Sequence, residues 1–394
     1  MVQLQLPDGF IHPLSPAGRQ APHAAFCWLR DNAPLFFDRS SGMYYVTDHA
    51  SVAQVLRDRR FSAALGQRDR GQLLPPLMLN ADPPEHQRLR APGRLLLGPN
   101  AVTGHLRQIG VETGQLLDGL VAGREAEAAA DLAVPFATLA LATVLRIPPD
   151  ERAAFAALAS RASVNLNPLA RPAAARAGRR ASGLLASYLE AITSREVAAG
   201  GSSPLADLAR DGRLSRVELL GVLSLTVIGG FEPLAALVGN ALAWLLWRPE
   251  AMDQLRSADV ATAERAVDEL LRLESPVPFV SRVSTEPVTL PTGQIPAGAR
   301  VLAMLAAANR DPAVFDRPDD LVLDRAPSPQ LAFGGGAHFC LAAPLVRGSA
   351  AVLLTGLLRR FPGLRPAPDE RPVWADSLIP RRVLRLRMLL TDHG

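Results

Sequence analysis

The chain is most apolar in its middle. Residues 219–231 are apolar or small at almost every position and are followed at once by Glu232 and Pro233. A helix without a polar face is buried on all sides, and this run is too short and too interrupted to read as a membrane span. The pattern therefore predicts a buried central helix over 216–247, with the core built around it. Apolar positions recurring at the helical period predict further helices over 51–58, 83–97, 102–121, 150–162, 182–199, 261–273 and 341–360. Alternation around Ser40-Ser41-Gly42 predicts a hairpin over 35–47, and short strands are expected at 282–290, 300–305 and 383–390. Stretches rich in Gly, Pro and Ser at 65–76, 168–178 and 200–205 read as loops. With no internal repeat and no break in composition, residues 1–394 read as one mainly α domain with a small strand-rich part.

Composition narrows the function classes. The chain has 394 residues, 48% of them hydrophobic, enough for a large core. Its 42 lysine-or-arginine positions are all arginine, and the net charge is +4. The arginines are scattered, without a basic stripe interleaved with aromatics, so a nucleic-acid footprint is not expected. A positive face that docks an acidic protein suits this balance better. The two cysteines are Cys27, in an apolar context, and Cys340. If Cys340 binds a metal, no intramolecular disulfide remains, which suits a reducing cytoplasm. Residues 1–16 lack a basic segment followed by a long apolar one, so neither a signal peptide nor a membrane anchor is expected.

The chemistry centres on Cys340. It closes the run Phe333-Gly334-Gly335-Gly336-Ala337-His338-Phe339-Cys340 and opens a helical pattern. Glycines let backbone approach a flat ligand closely. A cysteine at a helix N-terminus meets free N–H groups that favour the thiolate, the form that binds metal. On its own a Gly-Gly-Gly is a turn and a lone Cys a small core residue. In fixed register with Phe333 and His338, they read as a loop delivering an axial haem ligand. This run resembles the cysteine loop of the cytochrome P450 family, Phe-Gly-x-Gly-x-His/Arg-x-Cys-x-Gly. Ala342 stands where that pattern has glycine, which should crowd the packing but removes no ligand. The resemblance implies the single-domain fold of that family, a helical bundle around haem b (iron protoporphyrin IX), with thiolate ligation of the kind that favours O–O cleavage.

Further motifs extend the resemblance from about residue 48 to about residue 390. In Asp82-Pro83-Pro84-Glu85-His86-Gln87-Arg88-Leu89-Arg90, His86 and Arg90 share a helix face. Such a pair is ordinarily a solvated face; in the family this His-x-x-x-Arg segment binds the haem propionates. Glu269 and Arg272, three apart, can pair on one face. By themselves they would be a surface salt bridge, whereas the family's Glu-x-x-Arg is buried and fixes the core behind the cysteine loop. The likeness continues through Leu273-Glu274-Ser275-Pro276-Val277-Pro278 to Arg282, a third propionate candidate, and through Ala308-Asn309-Arg310-Asp311-Pro312 and Phe315. With Phe333, Gly334 and His338, these are the expected haem-contacting residues.

On the oxygen side the chain departs from the pattern. The family reads Ala/Gly-Gly-x-Asp/Glu-Thr-Thr; this chain reads Gly229-Gly230-Phe231-Glu232-Pro233. Glu232 keeps the acid of the proton relay. Pro233 replaces the alcohol and has neither hydroxyl nor N–H. It also frees the carbonyl of Gly229, so a kink is expected, with a water or a substrate hydroxyl at that carbonyl. Leu225, Ile228, Gly229 and Glu232 fall on one helical face. The resemblance places Leu225 and Ile228 over the haem, Pro278 and Val280 opposite, and Arg171, Arg176, Arg179 and Arg180 in a loop that lids the pocket.

The implied activity is a monooxygenase acting on a largely apolar small molecule, tailoring a bacterial secondary metabolite, with protons delivered by water or substrate. Oxidative coupling or cyclisation without oxygen insertion is the alternative; peroxide-driven turnover and a non-catalytic haem sensor are lesser ones. The chain carries no dinucleotide fingerprint and no iron–sulfur cysteine set, so electrons must come from outside. The resemblance implies a ferredoxin and its reductase, docking near Arg347, Arg359 and Arg360, and a cytoplasmic monomer.

Overall fold

The central helix forms as Arg216–Leu245. Ser215 caps it and Glu218 completes a capping box. It runs unbroken through Pro233, so the proline does not divide it. The computed structural model describes residues 10–64, 78–167, 171–377 and 379–392; the loop expected at 65–76 lies outside them.

Val134–Leu145, Arg152–Ser163, Pro172–Ala198 and Val260–Leu273 make the main packing on the central helix, as does a π-helical turn, Ala128–Ala133. Behind them, Ala343–Arg360 packs against Pro99–Asp118, Val260–Leu273 and Pro249–Ser257. Their apolar faces merge into one large core that includes Phe136, Phe155, Phe231 and Phe361. Ala128–Leu145 and Arg216–Leu245 are long and apolar enough to cross a membrane, but their most apolar 18-residue stretches are 67% and 72% buried inside the fold. Here length and composition mark core helices.

Five strands form a separate, smaller part. Leu35–Asp38 and Met43–Val46 make the expected hairpin. The second strand pairs in parallel with Arg300–Ala303, which pairs antiparallel with Val280–Ser284, and Phe61–Ser62 closes the five-stranded sheet. This sheet has its own cores, around Val301 and Leu305 on one side and Phe26, Tyr45 and Met304 on the other. The fold is thus mainly helical with a minor β part.

Several boundaries differ from the sequence reading. The strand expected at 282–290 divides: Val280–Ser284 lies in the large sheet, while Val288–Leu290 forms a hairpin with Gly293–Ile295. The one expected at 383–390 also divides: Val383–Arg385 pairs with Val373–Trp374, and Arg387–Leu389 with Glu125–Glu127 and Arg365–Pro366. The loop expected at 168–178 is helical from Pro172, with the proline at the first turn. Alanine is the best helix former, so Pro172-Ala173-Ala174-Ala175-Arg176 needs no apolar stripe to be helical. Val134–Leu145 escaped the periodicity reading for the opposite reason: it is apolar nearly all round and has no stripe to detect.

Candidate active site

The cysteine loop is shaped by what it packs against. Gly334 and Gly336 have φ of 73° and 63°, a region side-chain-bearing residues rarely adopt. A Cβ on Gly336 would lie 2.3 Å from the Leu56 carbonyl oxygen, where the helix His49–Arg57 ends against the loop. The Cys340 N–H donates to the Phe333 carbonyl at 2.9 Å, closing the loop on itself. Burial pushes the Cys340 thiol up; the N–H groups of Ala342 and Ala343 and the charges of Arg90 and Arg347 favour the thiolate. Ala342, at φ −89°, takes an ordinary conformation, so its methyl adds no backbone strain where the pattern has glycine.

Beside this loop four basic side chains converge. The rings of His86 and His338 lie 4.1 Å apart. Arg90 donates to the carbonyl of Phe339, the residue before Cys340. Arg282 is buried and donates to its neighbour's carbonyl. Burial lowers the pKa of all four, and Arg282 and His86 lower that of His338 further, to about 4. Asp82 is the carboxylate that opposes this at His86, Arg282 and His338, and it also accepts from Ser62 and the Ala63 N–H. His86 is 2% exposed and its Nδ1 is buried without a partner. The cluster is short of negative charge, and a flat group with two carboxylates would supply it.

Glu269 and Arg272 lie behind the loop. Arg272 is fully buried and grips Glu269 with two hydrogen bonds of 2.7 and 2.8 Å. Its other donors reach the carbonyls of Asn309, Pro318 and Asp320. Arg325, which sequence reasoning missed, donates to the same Glu269 at 3.0 Å. The pair thus anchors the stretch that leads to the cysteine loop.

On the central helix, Gly229 is exposed, with Leu225, Thr226, Gly230 and Pro233 partly so; Ile228 and Glu232 are buried at the edge of this open stripe. Both turn toward the helix Arg152–Ser163. Ser160 Oγ donates to Glu232 Oε1 at 2.8 Å, and Ser163 Oγ approaches the Ile228 carbonyl at 3.4 Å, one residue before the carbonyl expected to be free. Arg382 Nε lies 3.6 Å from Glu232 Oε2. Ser160 and Arg382 are remote from Glu232 in sequence, and no motif pointed to them. Pro278 is buried, and Val280 is half-buried at the head of the strand that carries Arg282.

The arginines expected in a lid loop are placed differently from expectation. Arg176, Arg179 and Arg180 lie on the helix Pro172–Ala198, not in a loop, and Arg171 immediately precedes it. Arg347 is bound to Asp268, Arg359 donates to the carbonyls of Arg256 and Ala258, and Arg360 lies 3.8 Å from Asp118. A cavity of about 430 Å³ lined by Glu112, Leu116, Val134, Arg152 and Ala156 opens elsewhere and shares none of the residues above.

Known proteins with the same features give the class. Residues 205–377 match the model of the cytochrome P450 family. The chain is 33% identical to the nocardicin C N-oxygenase of Nocardia uniformis subsp. tsuyamanensis, over 98% of this chain and 96% of that protein. It is 31% identical to the cytochrome P450 monooxygenase PikC of Streptomyces venezuelae, over 90% of this chain and 87% of that one. The solved structure of CalO2 superposes with a TM-score of 0.88 at 28% identity, over 98% of this chain and 99% of that one. The chain belongs to the cytochrome P450 family, whose members carry haem, and is an oxidoreductase of the monooxygenase type.

Proposed function

We propose that this chain is a haem-thiolate monooxygenase that tailors a largely apolar bacterial secondary metabolite. Cys340 would hold the iron of haem b, with Phe333 and Gly334 against the ring and His86, Arg90, Arg282 and His338 on the propionates. The observation that carries this is the basic cluster beside a cysteine whose sulfur faces two backbone N–H groups. When bound, the thiolate-ligated haem supplies the oxidising chemistry, with dioxygen and electrons from outside. Glu269 and Arg272 hold the loop in place and do not react.

The chain's own part is positioning and proton supply. Glu232, held by Ser160 and Arg382, keeps an acid beside the open stripe of the central helix. Pro233 has no hydroxyl to pass that proton on, so a water or the substrate's own polar group at Gly229 and Gly230 completes the path. Leu225, Ile228, Gly229, Pro278 and Val280 give an apolar lining, which favours a substrate with an apolar body. The nocardicin C N-oxygenase, which by its name acts on nocardicin C, supports a tailoring role. Electrons would come from a ferredoxin and its reductase, with the chain a cytoplasmic monomer. Of the arginines expected to dock the ferredoxin, Arg347 is largely withdrawn from solvent, whereas Arg359 and Arg360 are exposed, and exposed Arg57 and Arg94 add further candidates. Arg57 adjoins Gly336, and Arg94 acts on Arg90 from one turn away.

Pro233 also favours a second reading, oxidative coupling or cyclisation, in which no oxygen enters the product. Isotopically labelled dioxygen separates the two. The haem-loaded chain is reconstituted with ferredoxin, reductase and nicotinamide and offered a panel of apolar candidates. Label in the product supports oxygen insertion, and a coupled product without label supports the second reading. Nicotinamide oxidation by the chain alone would contradict dependence on a partner.

A further inference from the structure

Arg347 sits at a junction between the cysteine loop and the helix that follows it. Its Nε donates to Asp268 Oδ1 at 2.7 Å, and its guanidinium carbon lies 4.7 Å from the centre of the Phe333 ring. The carbonyl of Phe333 receives the Cys340 N–H. The same Asp268 oxygen accepts from Gln330 Nε2 at 3.0 Å, and Gln330 Oε1 in turn accepts the Ala332 N–H at 2.7 Å. One carboxylate therefore fixes both the guanidinium and the segment entering the loop. Three-quarters of the Arg347 side chain is withdrawn from solvent. A cation over an aromatic face gains most when it is desolvated, and a charge held this way is a poor anchor for a mobile partner.

We propose that Arg347 is a positioning residue that sets how strongly the Cys340 sulfur donates electrons, through its fixed charge and its stacking on Phe333, and not a docking residue. This rests on the reading of Cys340 as the iron ligand. A fixed positive charge near a thiolate stabilises its negative charge and weakens its donation, which favours the reduced centre. Charge and hydrogen bonding around a sulfur ligand are among the protein's levers on potential. Asp268 offsets part of that charge, and Glu264, one turn earlier on the same helix, faces the same pair. The effect should therefore be moderate.

The experiment is the equilibrium reduction potential of the haem-loaded protein, with the ferredoxin dissociation constant measured in parallel. Arg347→Gln should shift the reduction equilibrium about tenfold toward the oxidised form, ~59 mV for one electron. Arg347→Lys, which keeps the charge, should recover most of this shift, and neither change should weaken ferredoxin binding. If Arg347→Gln does not retain haem, Arg347→Met, which keeps an apolar chain over the ring, serves the same comparison. An unchanged potential overturns the proposal, whether or not ferredoxin binding falls. The carbon-monoxide complex of the reduced wild type is recorded first. Absence of its thiolate band would mean that the Cys340 reading fails, a result separate from the effect of Arg347.

Discussion

Ser160 and Glu232 join two helices by a hydrogen bond of 2.8 Å, at the turn where the central helix also carries Pro233. Glu232 is buried, so this hydroxyl and the Arg382 guanidinium hold a carboxylate that would otherwise be costly to keep there. Hydrogen bonds to charged groups contribute roughly 1.5–3 kcal/mol. Ser160→Ala should therefore release the acid from its position, lower the product formed per nicotinamide consumed and slow turnover. Glu232→Gln should slow turnover further, on the order of 10²-fold. Unaltered coupling in Ser160→Ala would show that the hydroxyl only packs two helices together.

On the proposed reading, Pro233 would make proton delivery depend on what fills the space beside Gly229. Coupling of electrons to product should be tight for the native substrate and loose for poorly fitting analogues. Pro233→Thr supplies a hydroxyl and restores a helical N–H, so it should narrow that gap. Product and peroxide yields for both proteins with both substrates decide the matter. Equal coupling throughout would reduce Pro233 to a residue that shapes the helix.

Arg272 is fully buried, and its partner Glu269 also takes Arg325. Removing one partner of a buried pair costs about 3–5 kcal/mol, a large share of a typical domain's stability. Arg272→Ala should yield little soluble haem protein. Arg325→Ala leaves the inner pair intact and should cost less. Thermal melts and haem content distinguish them, and an unchanged melting temperature in Arg272→Ala would contradict the structural role.

Acid sensitivity should originate partly at Glu274. Burial raises its pKa, but His23, Arg381 and Arg310 outweigh this and hold it well below the usual 4.5. The unfolded chain therefore takes up the proton first as pH falls. The stabilisation is fully present above about pH 4.5 and is lost progressively below it. Denaturation midpoints measured across that range should fall in the wild type, and more shallowly in Glu274→Gln. Identical slopes would place the acid sensitivity elsewhere.

What was legible in the sequence follows from what is local. Cys340, His338 and Phe333 lie within eight residues, Glu269 and Arg272 within one turn, and His86 and Arg90 within another, so each set forms a short motif whose resemblance to the family pattern could be seen. Arg382, Ser160, Arg325 and Asp268 act across 150, 72, 56 and 79 residues on Glu232, Glu232, Glu269 and Arg347, distances at which spacing carries no signal. The helix Val134–Leu145 was hidden by having no polar face, and the start of Pro172–Ala198 by having no apolar one. Leu225, Ile228, Gly229 and Glu232 do lie on one helix, as their spacing suggested. That Ile228 and Glu232 sit at the buried edge of its open stripe depends on the helix Arg152–Ser163, whose packing no local pattern reports.

The central claim is that Cys340 holds the haem iron as a thiolate. Its most direct test is the absorption spectrum of the reduced, carbon-monoxide-bound protein, for wild type and Cys340→His, at matched haem content. The wild type should show the strongly red-shifted Soret band of thiolate ligation. Cys340→His should retain some haem and lose that band. A red-shifted band that survives in Cys340→His would contradict the account.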